Sequence, residues 1–112
     1  MQSFEARGTF SADEVSVAVG CSGFGGVAVQ IAAGLTGTVT FEGSADGTNY
    51  EAMIMTPIGT TVGVTTTTTA GLWRGCCVGL VSVRARCSTY SSGTASVTVK
   101  LSEASPTLNN LT

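Results

Sequence analysis

Apolar and polar residues alternate with period two along most of this chain, as in strands that bury one face and expose the other. "VSVAV" places Val15, Val17 and Val19 on one side, and "VAVQIAA" does the same with Val27, Val29 and Ile31. Between them "GCSGFGG" is a glycine-rich connection. "TVTFEGSA" directs Val39 and Phe41 inward, with Thr38, Thr40 and Glu42 outward. Asp46-Gly47 then supplies a hairpin turn, because both residues tolerate a positive backbone angle. "YEAMIM" returns as the partner strand, which Pro57 and Gly59 end. "LWRGCCV" is a further short strand. "VSVRARC" sets Val81, Val83, Ala85 and Cys87 against Ser82, Arg84 and Arg86. "STYSSG" reads as a turn, and "TASVTVKL" faces Ala95, Val97, Val99 and Leu101 inward.

No window shows helical periodicity. About eight short strands at regular spacing predict an all-β, single-domain antiparallel β-sandwich, jelly-roll-like. The domain spans residues 1–101, with a short N-terminal arm over 1–7 and an extended tail over 102–112. The threonine run at residues 65 to 69 suits a pleated, half-exposed surface. In a buried strand every second hydroxyl would need a partner, so the run is expected at a sheet edge or in a long loop.

Composition changes the picture in one respect. The 112 residues are 43% hydrophobic but only 11% charged, against about 25% in an ordinary globular protein. The surface is therefore mostly Ser, Thr, Gly and Ala, poorly protected against association, and suited to being covered by other subunits. Seven acids and five bases give a net charge of −2 with no basic run, so nucleic acid is not an expected partner. No apolar stretch approaches the roughly 20 residues of a membrane span, and "MQSFEARGTF" lacks the pattern of a signal peptide.

Candidate chemistry is sparse. The chain has no histidine, which excludes Ser-His-Asp and Cys-His nucleophile arrangements. Glu42 and Glu51 could face each other across the hairpin, but nothing marks a cleft between them. No enzymatic activity and no cofactor are expected. Glu42, Asp46, Asn49 and Glu51 supply some oxygen ligands, without the spacing of a calcium loop. Cys21, Cys76, Cys77 and Cys87 fit no zinc pattern. They read mainly as buried, reduced small hydrophobes; a disulfide from Cys21 or Cys76 to Cys87 is the alternative. The interface candidates are Trp73 and Arg74, Arg84 and Arg86, and Leu108 and Leu111 of the tail. For Trp73 a core position, and for the two arginines a solvated outer face, stay open beside that reading.

"GTVTFEGSADGTNY", followed some thirty residues later by "GLVSVRARCSTYSSGTASVTVKLS", resembles a pattern common in structural proteins of tailed-bacteriophage virions. The likeness covers roughly residues 35 to 101; it does not extend to the N-terminal third, and the cysteines are not part of it. It implies a virion structural role. A small β-sandwich of this kind looks like a capsid decoration (cement) protein. The resemblance thus implies a site on the capsid exterior, synthesis in the host cytoplasm, a homotrimeric assembly, and the major capsid protein as partner. A tail, neck or fibre component and a carbohydrate-binding module are the other readings. The last would need Tyr50, Trp73 and Tyr90 to gather on one exposed face.

Overall fold

The computed structural model describes residues 5–102. It contains ten strands and no helix: β1 (Glu5–Phe10), β2 (Ser16–Gly20), β3 (Gly26–Ile31), β4 (Leu35–Ser44), β5 (Glu51–Ala52), β6 (Thr56–Pro57), β7 (Thr66–Thr67), β8 (Gly71–Cys76), β9 (Ser82–Gly93) and β10 (Ala95–Ser102). They form two antiparallel sheets. The first has the order β1-β10-β3-β8-β6, and the second β2-β9-β4-β5, with β7 also paired to β4. Setting aside the two-residue strands β6 and β7, the remaining eight interleave as a jelly roll. The chain changes sheet from β1 to β2, to β3 and to β4, and again from β8 to β9 and to β10.

The alternation read from the sequence fixes which faces meet. Val27, Val29 and Ile31 of β3 and Ala95, Val97, Val99 and Leu101 of β10 line the inside of the first sheet. Val17, Val39, Phe41, Val83, Ala85 and Cys87 line the inside of the second. Phe41 and Trp73 meet across the sandwich with ring centroids 5.4 Å apart at a 48° tilt, a favoured aromatic geometry. Together these side chains form one continuous core.

Three local readings need correction. Residues 5 to 7 are strand, not arm: Glu5, Ala6 and Arg7 pair with Lys100, Val99 and Thr98. "STYSSG" does not turn the chain. β9 continues to Gly93, and the ladder with β4 absorbs Ser88 and Ser91 at two register shifts. Such bulges bend a strand without ending it. Gly37 sits at one of them, where a Cβ would collide with the carbonyl oxygen of Thr89. Finally, Pro57 does not close the strand that starts at Tyr50. β5 ends at Ala52, and the chain crosses to the other sheet, where Thr56 and Pro57 pair with Arg74 and Trp73. A proline is tolerated there because β6 is an edge strand. The threonine run does lie at an edge, with Thr66 and Thr67 opposite Thr40 and Val39.

The turn from β9 to β10 separates two effects that are usually confounded. Gly93 has φ 82° and Gly47 has φ 81°, both left-handed. An added Cβ at Gly47 meets nothing within 4 Å, whereas at Gly93 it would collide with the carbonyl oxygen of Gly34. Gly47→Ala should therefore cost only the backbone term, about 1 kcal/mol. Gly93→Ala should cost at least about 2 kcal/mol more, because a backbone atom must move. Urea unfolding of the two variants measures the difference.

Candidate functional site

Two features of the surface stand out: a polar network on the outside of the second sheet, and an apolar margin on the first. The polar network starts at Glu42. Alternation puts its side chain on the outer face, yet the residue is only 7% exposed. The pairing Glu42↔Arg84 and Thr40↔Arg86 brings two arginines to it from β9. Arg84 Nε donates to Glu42 Oε1 at 2.7 Å, and Arg86 Nη2 donates to Oε2 at 3.1 Å. Arg86 also reaches Glu14 through Nη1 at 2.9 Å. Tyr50 closes the other side, its ring 3.8 Å from the Arg84 guanidinium carbon. The Tyr50 hydroxyl donates to Ser82 Oγ at 2.8 Å, and Ser82 Oγ donates to the Val19 carbonyl at 3.3 Å.

Burial alone would raise the pKa of Glu42, but hydrogen bonds from Arg86 and Arg84, with their charges, outweigh it and hold the carboxyl below its ordinary range. Two carboxylates facing two guanidiniums leave the cluster neutral, with each charge already matched. Arg84 and Arg86 thus meet acids within their own chain. Glu42 and Glu51 do not face each other: Glu42 opposes Ala52 and Glu51 opposes Gly43, so the two carboxylates lie on opposite faces of the sheet.

The hairpin tip spends its acid in the same way. Asp46 accepts from the backbone N–H of Asn49 and of Thr48, both at 2.8 Å, from Asn49 Nδ2 at 2.7 Å, and from Ser44 Oγ at 2.9 Å. These bonds, the Asn49 N–H foremost, hold its carboxyl well below the usual carboxylate range. Asp46 builds the turn, and its oxygens are occupied in doing so. Among the described residues, no group of three or more His, Cys, Asp or Glu could hold a metal ion.

The apolar margin was not anticipated from the sequence. Of five large hydrophobic residues exposed among the described residues, four gather beside β6 and β8: Ile54 (66% exposed), Ile58, Val62 (71%) and Leu72. The segment from Met55 to Val64 doubles back on itself, with hydrogen bonds of 2.8 Å in both directions between those two residues. Gly63 lies against the Ile54 side chain, and Ile58 N–H donates to the Leu72 carbonyl at 3.0 Å. An open groove runs alongside, between this segment and the threonine run, lined by Ile58, Val64, Thr66, Thr69, Leu72 and Trp73. Scattered exposed apolar residues are ordinary; a cluster on one margin marks a contact surface. Period-two reading missed it because the segment crosses between sheets and has no regular face.

The remaining candidates fall as follows. Trp73 is a core residue at 4% exposure, packed at a tilt against Phe41, and it also lines the groove. Arg74 is exposed on the outer face of β8, beside the margin. Tyr90 hydrogen-bonds to the Gly93 carbonyl at 2.9 Å and packs on the core, so Tyr50, Trp73 and Tyr90 do not share a sugar-stacking face. Leu108 and Leu111 lie outside the described residues. No disulfide joins the cysteines among the described residues; Cys21, Cys77 and Cys87 are buried and Cys76 is exposed. The Cys21–Cys87 bridge is ruled out by register. Cys21 bonds to Val81 at one end of β9, and Cys87 lies six residues further along. That is roughly 20 Å, beyond the reach of a disulfide.

Because folding lowers the pKa of Glu42, its contribution is complete above the ordinary value of 4.5 and is lost as pH falls through the folded value. Asp46 acts in the same direction. The melting temperature of the wild type should fall as pH is lowered through this range. Glu42→Gln should cost about 2 kcal/mol near neutrality, between the values for exposed and fully buried pairs. It should also show a shallower acid dependence, with the Asp46 part remaining. Thermal melts from pH 7 to pH 3 check both.

No protein-family model matches the chain, and no curated protein matches it by sequence. Solved structures do match in fold. The SPBc2 prophage-derived protein YomS superposes with a TM-score of 0.71 at 15% identity, over 91% of this chain and 96% of that one. The PBSX exported protein XepA gives a TM-score of 0.71 at 16% identity, over 90% of this chain but 38% of its own length. The chain therefore shares its sandwich with two phage-derived proteins, one of which carries it as part of a longer polypeptide.

Proposed function

We propose that this chain is a non-enzymatic structural part of a phage particle, a decoration protein on the capsid exterior that clamps adjacent major capsid proteins. The observation that carries the reading is the apolar margin of Ile54, Ile58, Val62 and Leu72. Leaving four large hydrophobic side chains in water on one edge is unfavourable, and contact with a partner removes that cost. Support comes also from the 11% charged composition, which does little to keep subunits apart. The two quoted segments that resemble virion proteins form most of β4 with the turn that follows it and the β9–β10 pair, within a fold also found in two phage-derived proteins.

In this reading the outer face of the second sheet is a finished surface. Its charges are paired internally, so the margin beside β6 and β8 faces the partner instead. A homotrimer would use one repeated heterologous contact, and the lattice would add stability by binding only folded subunits. A tail, neck or fibre location rests on the same surface chemistry. The carbohydrate-binding reading loses its physical basis with Trp73 in the core.

Co-sedimentation with capsids that lack the protein tests the proposal, with light scattering for the mass in solution. The wild type should bind and scatter as a trimer. Ile54→Ser combined with Val62→Ser should keep the melting temperature within a few degrees, since both side chains are already in water, and weaken capsid binding by roughly tenfold or more. Undiminished binding by a folded double variant would remove the margin from the interface. Binding to tail structures in place of capsids would move the protein within the particle.

A further inference from the structure

The cysteine pair at one end of the sandwich is built more symmetrically than a buried hydrophobe requires. Cys21 follows β2 of one sheet, and Cys77 follows β8 of the other. Each opens a four-residue turn, Cys21-Ser22-Gly23-Phe24 and Cys77-Val78-Gly79-Leu80. Each turn is closed by a bond from the fourth N–H to the cysteine carbonyl, at 3.0 Å and 3.1 Å. Each has its glycine third, at φ 86° in both, the conformation that position requires when the backbone turns this way. Phe24 and Leu80 then fold back against the core.

The two turns are tied to each other. Cys77 N–H donates to the Gly25 carbonyl at 3.0 Å, and Cys77 Sγ lies 3.5 Å from the Phe24 carbonyl. Cys21 N–H donates to the Val81 carbonyl at 2.8 Å. Both side chains are fully buried, and Cys77 Sγ rests on the carbonyl of Phe24, the residue whose N–H closes the Cys21 turn, so the two thiols lie in one buried pocket between the turns and feel each other electrostatically. A hydrophobe of similar size would fill the space, but two facing thiols fixed by matched turns from opposite sheets can do something that two hydrophobes cannot.

We propose that Cys21 and Cys77 are a redox pair, reduced inside the cell, that closes into a disulfide stapling one sheet to the other when the protein meets an oxidising medium. The oxidant is a low-molecular-weight disulfide. One cysteine thiolate attacks it, forming a mixed disulfide and releasing the first small thiol. The second cysteine attacks that mixed disulfide, forming the Cys21–Cys77 bond and releasing the second small thiol. Two S–H bonds of the protein are lost, one S–S bond is made, and the two protons and two electrons leave with the two small thiols.

Burial pushes both thiols up, Cys77 to about 12, so neither is a ready thiolate at neutral pH. The reaction is therefore slow and needs the turns to open. Their glycines, Gly23 and Gly79, have nothing within 4 Å of an added Cβ and lie at the surface. Once closed, the bridge joins residues far apart in the chain, the case in which a cross-link restricts the unfolded state most.

The full chain is incubated with oxidised glutathione, then denatured, alkylated and mapped by mass spectrometry without reduction. The expected result is a Cys21–Cys77 peptide, with Cys76 and Cys87 alkylated and two hydrogen atoms lost from the intact mass. The melting temperature should rise by roughly 10 °C or more and return on reduction. Cys76→Ser should give the same peptide and the same shift, because its exposed thiol is not in the bridge. Four alkylated cysteines after prolonged oxidation at pH 8.5 would overturn the proposal. So would a bridge that involves Cys76 or Cys87, or a bridge that leaves the melting temperature unchanged.

Discussion

The ladder between β4 and β9 is the constraint on which the rest of the molecule depends. It is the longest pairing, running from Leu35↔Gly93 to Ser44↔Ser82, and both of its faces are used. Inward it delivers Val39, Phe41, Val83, Ala85 and Cys87 to the core. Outward the same register delivers Glu42 between Arg84 and Arg86. Slipping this pairing by one residue would put charges into the core and valines into water, so register here is strongly specified. The two bulges at Ser88 and Ser91 each shift the pairing by one residue, and both lie outside the stretch from Val39↔Cys87 to Ser44↔Ser82, so the long strand bends while the register around Glu42 is kept.

From this ladder the surface divides into two kinds. The outside of the second sheet is closed chemically: each charge of the Glu42 cluster has a partner, Tyr50 covers Arg84, and Asp46 is consumed by its own turn. The margin beside β6 and β8 is the opposite. There the chain leaves one sheet for the other, and side chains with no inner face to occupy are left outside. In a protein with so few charges, such a margin is the natural place for association, and the polar face opposite is the natural place for water.

The sandwich is also held at its ends. Gly34 and Gly93 pass each other so closely that a side chain at Gly93 cannot fit. At the other end the paired turns of Cys21 and Cys77 tie β2 to β8. Inner faces packed by non-directional contacts set how close the sheets lie; directional bonds at the ends help to set how they are aligned.

Much of this was legible in the sequence because period-two alternation is a local property. It identified the inner faces of β3, β4, β9 and β10 residue by residue, the hairpin at Asp46-Gly47, the edge position of the threonines, and the sandwich itself. Alternation says which side a residue faces, not what lies above it. Glu42 was correctly outward, yet its burial depended on which strand came to lie beside β4. Composition suggested a turn at "STYSSG", but bulges use the same serines and glycines, and only a partner strand distinguishes the two. The repeated Cys-x-Gly-apolar pattern at residues 21 and 77 was visible in the chain; that the two copies face each other follows from a jelly roll that brings β2 and β8 to one end. The sequence by itself determined the strands, their faces and the poverty of charge, since these need only neighbours in the chain. The tertiary structure decided which charges are matched, which apolar groups are stranded and which thiols meet, because each depends on residues distant in sequence and adjacent only after folding.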